Sequence, residues 1–286
     1  MHVSVNGVRL FFDVEGAKFV PDGPVMREKP VLLMLHGGPG FDHSIYRPAY
    51  SALADIAQVV YLDHRGNGRS EDGPRESWNL AQWGDDVRGF CDALGIVDPI
   101  VLGASFGGMV ALSYATRHPA HPSRLILIST AAAGHEYLER RAELFERFGG
   151  PEVGALARRR LLEQRGHPDQ ASVAAWARLA MPHYTRVPRD PDMARRAINR
   201  PEVLQWFTRP GGESHSYNFF PASIASSARR WCSAAKTTPF TRSRARQTSP
   251  PPCRRISFGS RGLPTAGTPA YKTHLSTRWQ RSAASS

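Results

Sequence analysis

Ser105 stands at the centre of Gly103-Ala104-Ser105-Phe106-Gly107, a stretch whose residue types and spacing point to covalent chemistry. A serine hydroxyl is a weak nucleophile. It must meet a base, and the oxyanion it generates must meet hydrogen-bond donors. The pentapeptide lies between an apolar run, Pro99–Leu102, and a helical pattern, Met109–Ala115. Strand, sharp turn with serine at its apex, then helix is the context of a nucleophile elbow. Gly103 and Gly107 allow the tight turn and the close approach of helix to strand. A helix starting at Phe106 aims free N–H groups at developing negative charge. The plainer alternative is a glycine-rich turn in any α/β protein.

The surrounding elements read as a strand–helix alternation. His2–Val5 and Val8–Val14 flank Asn6-Gly7, a two-residue hairpin signal. Val31–Leu35 is a continuous apolar run, as a buried parallel strand should be. It leads into His36-Gly37-Gly38-Pro39-Gly40. A helix is expected over Ala49–Ala57 and a strand over Val59–Leu62, which ends in Asp63-His64-Arg65-Gly66-Asn67-Gly68-Arg69-Ser70. Leu80, Trp83, Val87, Phe90 and Leu94 repeat at helical spacing. Leu125–Ile128 is a further strand. This order predicts an α/β fold with a doubly wound, mostly parallel sheet and ligands at the carboxyl ends of its strands. Residues 1–134 would form the core. From 135 to 210 the pattern is helix after helix (Tyr137–Phe148, Val153–Arg165, Ala171–Ala180, Pro191–Asn199), which reads as a helical cap inserted over the strand ends. The alternative is that these helices cover the sheet. Residues 211–225 return to the core.

Composition narrows the function classes. The chain has 286 residues and a net charge of +12, which ordinarily suggests nucleic acid or a membrane surface. The distribution argues against both. Residues 1–225 carry equal numbers of acidic and basic side chains, whereas residues 226–286 carry 12 basic and no acidic ones. No run approaches a membrane span. The start of the chain lacks the pattern of a signal peptide, and Cys91, Cys232 and Cys253 form no disulfide framework or metal spacing. A reducing cytoplasm, no metal, no cofactor and a small-molecule or short-peptide substrate are the expectations. Oligomeric state is not legible.

Taken together in this order and spacing, His36-Gly37-Gly38-Pro39-Gly40, Asp63–Ser70 and Gly103–Gly108 resemble the proline iminopeptidase branch of the α/β-hydrolases. The resemblance covers about residues 1–225. It implies Ser105 as nucleophile and the backbone N–H groups of Phe106 and Gly38 as the oxyanion hole. It makes His36, Gly37, Pro39, Gly40, Asp63, Arg65, Gly103 and Gly107 parts of the structural motifs, with His36 orienting its turn rather than acting as base. Asp63 and Arg69 are expected to pair internally, Cys91 to be a core residue, and His118 and His121 to lie at the surface. The resemblance further implies a substrate with a free N-terminus, its ammonium held by cap carboxylates. Glu136, Glu139, Glu143, Glu146, Glu163 and Glu213 are candidates, against the alternative of solvated faces paired with arginines. Esterases and other hydrolases share the same motifs.

The triad needs a histidine and a carboxylate to orient it, in chain order Ser, acid, His. After Glu213 there is no acid, and after His215 the only histidine is His274. Residues 226–286 are rich in Arg, Ser, Thr, Pro and Ala, with no strand of useful length and no periodic helix. They read as an aberrant, disordered basic tail in place of the C-terminal strands and helix. A genuine basic tail on a non-catalytic scaffold is one account. A shifted reading frame is the other. Codons compatible with Arg230–Ser243, each started one nucleotide earlier, can read Pro-Val-Val-Leu-Cys-Gly-Glu-Asp-Asp-Pro-Val-His-Pro-Ile. Gln247–Arg254 can read Ala-Asp-Ile-Ala-Ala-Ala-Leu-Pro, and Thr265–Thr268 can read Asp-Cys-Gly-His. The shift would arise around Ala222–Ala228, with the acid slot near Thr238 and the base slot near Thr268. Neither threonine can serve, because neither holds a proton at neutral pH as imidazole does.

Overall fold

The computed structural model describes residues 1–163, 170–184, 190, 192–220 and 231–234. Nine strands are described, seven of them in one sheet of order β1-β2-β6-β5-β7-β8-β9. β1 (His2–Val5) and β2 (Val8–Glu15) form the expected hairpin, with Val5 opposite Val8. β3 (Phe19–Asp22) and β4 (Val25–Glu28) make a separate two-stranded ribbon that the sequence pattern does not announce. β5 (Val31–Leu35) is buried at every position, and β6 (Gln58–Leu62) nearly so. Continuous apolar runs become central parallel strands because both faces are covered. β7 (Ile100–Ala104) and β8 (Arg124–Ile128) extend the sheet in parallel.

α1 (Leu80–Ala93) and α2 (Phe106–Arg117) pack against each other on one face. Asn79 caps α1 by accepting the Gln82 N–H at 2.8 Å. Trp83, Val87 and Phe90 of α1, with Phe106, Val110 and Tyr114 of α2, fill the main core. The other face buries Leu32, Met34, Val59, Tyr61 and Leu102 beneath Tyr46 and its neighbours. The helix expected over Ala49–Ala57 is only a 3-10 turn, Ser51–Asp55. Its backbone bonds reach back three residues, Leu53 N–H to Tyr50 O at 3.0 Å and Ile56 N–H to Leu53 O at 3.1 Å, the tighter pattern of short connecting turns.

Beyond β8 no strand interrupts the described residues from 134 to 208. α3 (Gly134–Arg158) carries a break at Gly150 (φ 84°), followed by Pro151. α4 (Gln170–Ala175), α5 (Met193–Arg196) and α6 (Pro201–Thr208) follow. Ala142, Phe145, Val153, Ala157, Trp176 and Ala180 form a small core of their own.

One expectation is corrected at the far edge. Trp231–Ala234, in the stretch read as carrying no strand of useful length, is a four-residue strand, β9, and pairs in parallel with β8, Leu125 opposite Trp231 and Ile128 opposite Ala234. The exposed backbone groups of β8 supply a template that four residues can join without a hydrophobic pattern of their own. Residues 235–286, including Thr238, Thr268 and the expectation of disorder, lie outside the described residues.

Candidate active site

Two strand ends assemble the site. β5 and β7 are parallel neighbours with Leu35 opposite Gly103, so the turns that follow them leave the sheet side by side. Ser105 sits at the apex between β7 and α2 with φ 52° and ψ −119°, a left-handed conformation that costs an L-residue on the order of 1–3 kcal/mol. The surroundings hold it there. Its N–H donates to Ile128 O at 2.9 Å. Its carbonyl accepts from Gly108 N at 3.0 Å and from the Thr130 hydroxyl at 2.7 Å. A Cβ on Gly107 would fall on the Leu35 carbonyl, 2.5 Å from its carbon and 2.6 Å from His36 O. Only glycine lets α2 start this close to the end of β5.

The 36–40 turn passes next to the serine: a Cβ on Gly37 would lie 3.5 Å from Ser105 Cβ. Gly38 has φ 139° and precedes a cis peptide bond to Pro39; a Cβ there would meet Gly40 N at 2.9 Å. As the first residue of α2, Phe106 has no acceptor for its N–H inside the helix. Among the described residues, nothing accepts the Gly38 N–H either. The Phe106 ring is buried against Trp83 and Phe207 at centroid distances of 4.9 and 5.4 Å, which fixes the start of the helix.

His36 is fully buried. Its Nε2 accepts the His64 N–H at 3.2 Å and its Nδ1 faces Gly37 O at 2.8 Å, so the ring joins the two turns. Burial holds its pKa below the ordinary imidazole value and holds that of His64 well below it, so both rings are neutral. Arg65 is buried and bidentate to Asp86 of α1, at 2.7 and 2.8 Å. Asn67 accepts the Gly40 N–H at 2.7 Å, tying the two turns together again.

Asp63 does more than pair with Arg69. Arg69 reaches it through the backbone N–H at 3.0 Å and spends its guanidinium mainly on Asp42. Asp63 also accepts the His43 N–H at 2.9 Å and lies 2.7 Å from His43 Nδ1. Sequence reading missed this buried His43–Asp63–Asp42 cluster, whose members come from two separate loops. It has the donor types of a metal site, but the hydrogen bonds to His43, Ser44 and Arg69 already engage both carboxylates. His43 stacks on Phe11 and contacts Tyr61, on the β2–β6 side of β5 and away from β7. Among the described residues no imidazole is hydrogen-bonded to the Ser105 hydroxyl.

The remaining expectations resolve as follows. Cys91 is fully buried, its thiol pushed up to about 12 by burial. His118 and His121 are half-buried rather than free at the surface: His118 lies 2.8 Å from Asp85, and His121 bonds the Tyr114 hydroxyl. Glu143 and Glu146 are exposed and paired with Arg140 and Arg158. Glu139 and Glu163 are exposed, and the Glu136 side chain lies outside the described residues. Glu213 accepts the Leu80 N–H at 2.6 Å, capping α1 from a half-buried position that raises its pKa.

Known proteins place this arrangement. Proline iminopeptidase PfmaB of Pestalotiopsis fici is 32% identical over 136 residues, 46% of this chain and 44% of that protein. A 2-hydroxymuconate semialdehyde hydrolase of Pseudomonas sp. is 36% identical over 110 residues, 38% of this chain and 39% of that protein. The chain thus spans less than half the length of these curated relatives. The crystal structure of a Mycobacterium smegmatis proline iminopeptidase superposes with a TM-score of 0.63 at 23% identity, covering 82% of this chain and 80% of that one. Residues 30–197, which contain all three glycine-rich turns, match the alpha/beta hydrolase fold family, and the chain belongs to that family.

Proposed function

We propose that the chain derives from a serine hydrolase working by acyl transfer, and that it is catalytically silent as it stands. Ser105 is the nucleophile in this reading. The N–H groups of Phe106 and Gly38 receive the oxyanion, and the helices after β8 select a small-molecule or short-peptide substrate. The observation that carries it is the strained Ser105 turn set beside a 36–40 turn with a free amide. Such strain persists where the surrounding structure over-determines it, and it clusters at reactive sites.

The silent half of the proposal rests on the missing base and acid. Loss of the histidine from such a triad costs about 10⁶ in turnover, leaving roughly 10³–10⁴ over water from the oxyanion hole and binding. The out-of-frame reading supplies both groups from one shift. It also writes Val-Val-Leu across Trp231–Ser233, within the four residues that take a strand position beside β8. That coincidence supports a shifted frame over a genuine basic tail. Nucleic acid is an unfavoured partner in this reading.

Two substrate classes compete. The proline iminopeptidase relatives favour a peptide with a free N-terminus. The pairing of Glu143 and Glu146 with arginines and of Glu213 with the α1 N-terminus favours an ester or other acyl substrate without an ammonium group.

One experiment tests both halves. The 286-residue chain, a chain with one nucleotide restored within codons 222–228, and Ser105→Ala versions of each are assayed on prolyl-p-nitroanilide and p-nitrophenyl acetate. Serine-dependent turnover is expected only after restoration. Ordinary turnover by the 286-residue chain would overturn the silence, and inactivity of a folded restored chain would overturn the hydrolase assignment.

A further inference from the structure

Arg141 and Arg160 lie against one aromatic cluster in the helices beyond β8, and among the described residues neither has a carboxylate partner. The guanidinium carbon of Arg141 is 4.9 Å from the ring centroid of Tyr184, 5.8 Å from Tyr137 and 6.0 Å from Phe145. That of Arg160 is 5.2 Å from Trp176. The rings touch one another: Phe145 and Trp176 are 4.9 Å apart, Phe145 and Tyr184 5.4 Å, Trp176 and Tyr184 6.3 Å. Both arginines are only partly exposed, and Arg160 Nη1 is buried with no hydrogen-bond partner.

This arrangement is costly without a ligand. A buried donor left unmade forfeits its hydration with nothing in return, and the loss is greater when the donor is charged. The two cations also oppose each other. Burial first, then the Arg141 charge, holds the Arg160 pKa below the ordinary guanidinium value. Glu143 and Glu146 of α3 do not relieve it, because they are engaged by Arg140 and Arg158 on the exposed side. A cation held over a ring face keeps its N–H edge available, and that edge matches a planar carboxylate.

We propose that Arg141 and Arg160, with Tyr184 and the edge of Trp176 as an apolar wall backed by the fully buried Phe145, form a binding site for a small organic carboxylate. The two guanidinium edges take the oxygens, and the rings take the hydrocarbon body. The site needs no base, acid or reactive serine, so it stands or falls independently of the hydrolase proposal.

The test is calorimetric titration of the 286-residue chain with phenylacetate, phenylacetamide and inorganic phosphate. Saturable binding of phenylacetate is expected, at least tenfold tighter than the uncharged amide and tighter than phosphate. Arg141→Gln and Arg160→Gln are each expected to weaken phenylacetate at least tenfold. Arg147→Gln, an exposed residue of the same helix stacked on Phe148, is expected to leave it unchanged. Circular dichroism of each variant separates lost binding from lost fold. Arg160→Lys, which keeps stem and charge, serves if Arg160→Gln does not fold, and it is expected to bind more weakly than the parent. Equal affinity for acid and amide, undiminished binding by the folded Arg141 and Arg160 variants, or no saturable binding would overturn the site. Phosphate bound as tightly as phenylacetate would overturn the organic carboxylate as its ligand.

Discussion

Asp86→Ala should unravel the frame that positions the 36–40 turn. Asp86 accepts four hydrogen bonds: from Arg65 Nε at 2.7 Å, Arg65 Nη2 at 2.8 Å, Asn6 Nδ2 at 2.9 Å and Gln82 Nε2 at 2.9 Å. Both members of the Arg65–Asp86 pair are 3% exposed. The Arg65 carbonyl accepts from Trp83 Nε1 and from Asn67 Nδ2, and Asn67 in turn holds Gly40 N. A buried pair is worth little net against an apolar replacement, but removing one partner leaves an uncompensated charge and costs about 3–5 kcal/mol. For a chain of this size that lowers the unfolding midpoint by roughly 6–20 °C, at about 2–4 °C per kcal/mol. Arg65→Met/Asp86→Ala removes both charges and should recover a large part of the loss. Urea unfolding followed by tryptophan fluorescence and far-ultraviolet circular dichroism measures the cycle. A loss below about 1 kcal/mol for Asp86→Ala, or a double variant no more stable than the single one, would refute the uncompensated-charge argument.

Three further outcomes are expected. Ser105→Gly should be more stable than Ser105→Ala by about 0.5–2 kcal/mol, because glycine relieves the φ 52° strain and only part of that gain is lost to unfolded-chain entropy; equal midpoints in chemical denaturation would contradict it. Gly107→Ala should cost more than about 3 kcal/mol, since its Cβ would meet backbone at Leu35 and His36 and not a yielding side chain; a soluble variant with an unchanged unfolding midpoint would count against the close approach. His36 has a depressed pKa, so the folded state binds fewer protons than the unfolded state once pH falls below about 6.5. Its contribution is fully present above that value and declines as pH drops through the unfolded pKa, so His36→Gln should flatten stability between neutral pH and about pH 5 relative to the parent.

How much of this was legible in the sequence depended on how local each signal is. β5, β6 and β7 read directly because burial on both faces leaves nearly continuous apolar runs, and β8 read from the run Leu125–Ile128 although only Leu125 of it is fully buried. The three turns read because glycine marks their conformation. The β3–β4 ribbon gave no signal: apart from half-buried Val20 every residue in it is exposed, so no alternation exists to be seen. The break in α3 was legible as two helices, since Gly150-Pro151 interrupts the pattern without ending the helical path. The His43–Asp63–Asp42 cluster was illegible because residues twenty apart meet only after β5 and β6 align. β9 was illegible for another reason. Trp231–Ala234 carries no strand pattern, and its place comes from pairing with β8.

The same locality underlies the proposed nucleophile half of the site. Ser105, Gly37, Gly38 and Phe106 all lie within one turn of adjacent strands whose register the backbone ladder fixes, Leu35 against Gly103. His36, His64, Arg65 and Asn67 brace that half from within the first 86 residues, together with Asp86. Nothing beyond residue 220 is needed to bend Ser105 into its strained turn. A triad base is different in kind. In the chain order Ser, acid, His it must come from chain beyond the last strands, so no packing in the first 220 residues can substitute for it. In the proposed reading, a nucleophile half that folds on local information and a base half that depends on distant chain can therefore fail separately. A single shift near Ala222–Ala228 would remove the second while leaving the geometry of the first as it stands around Ser105.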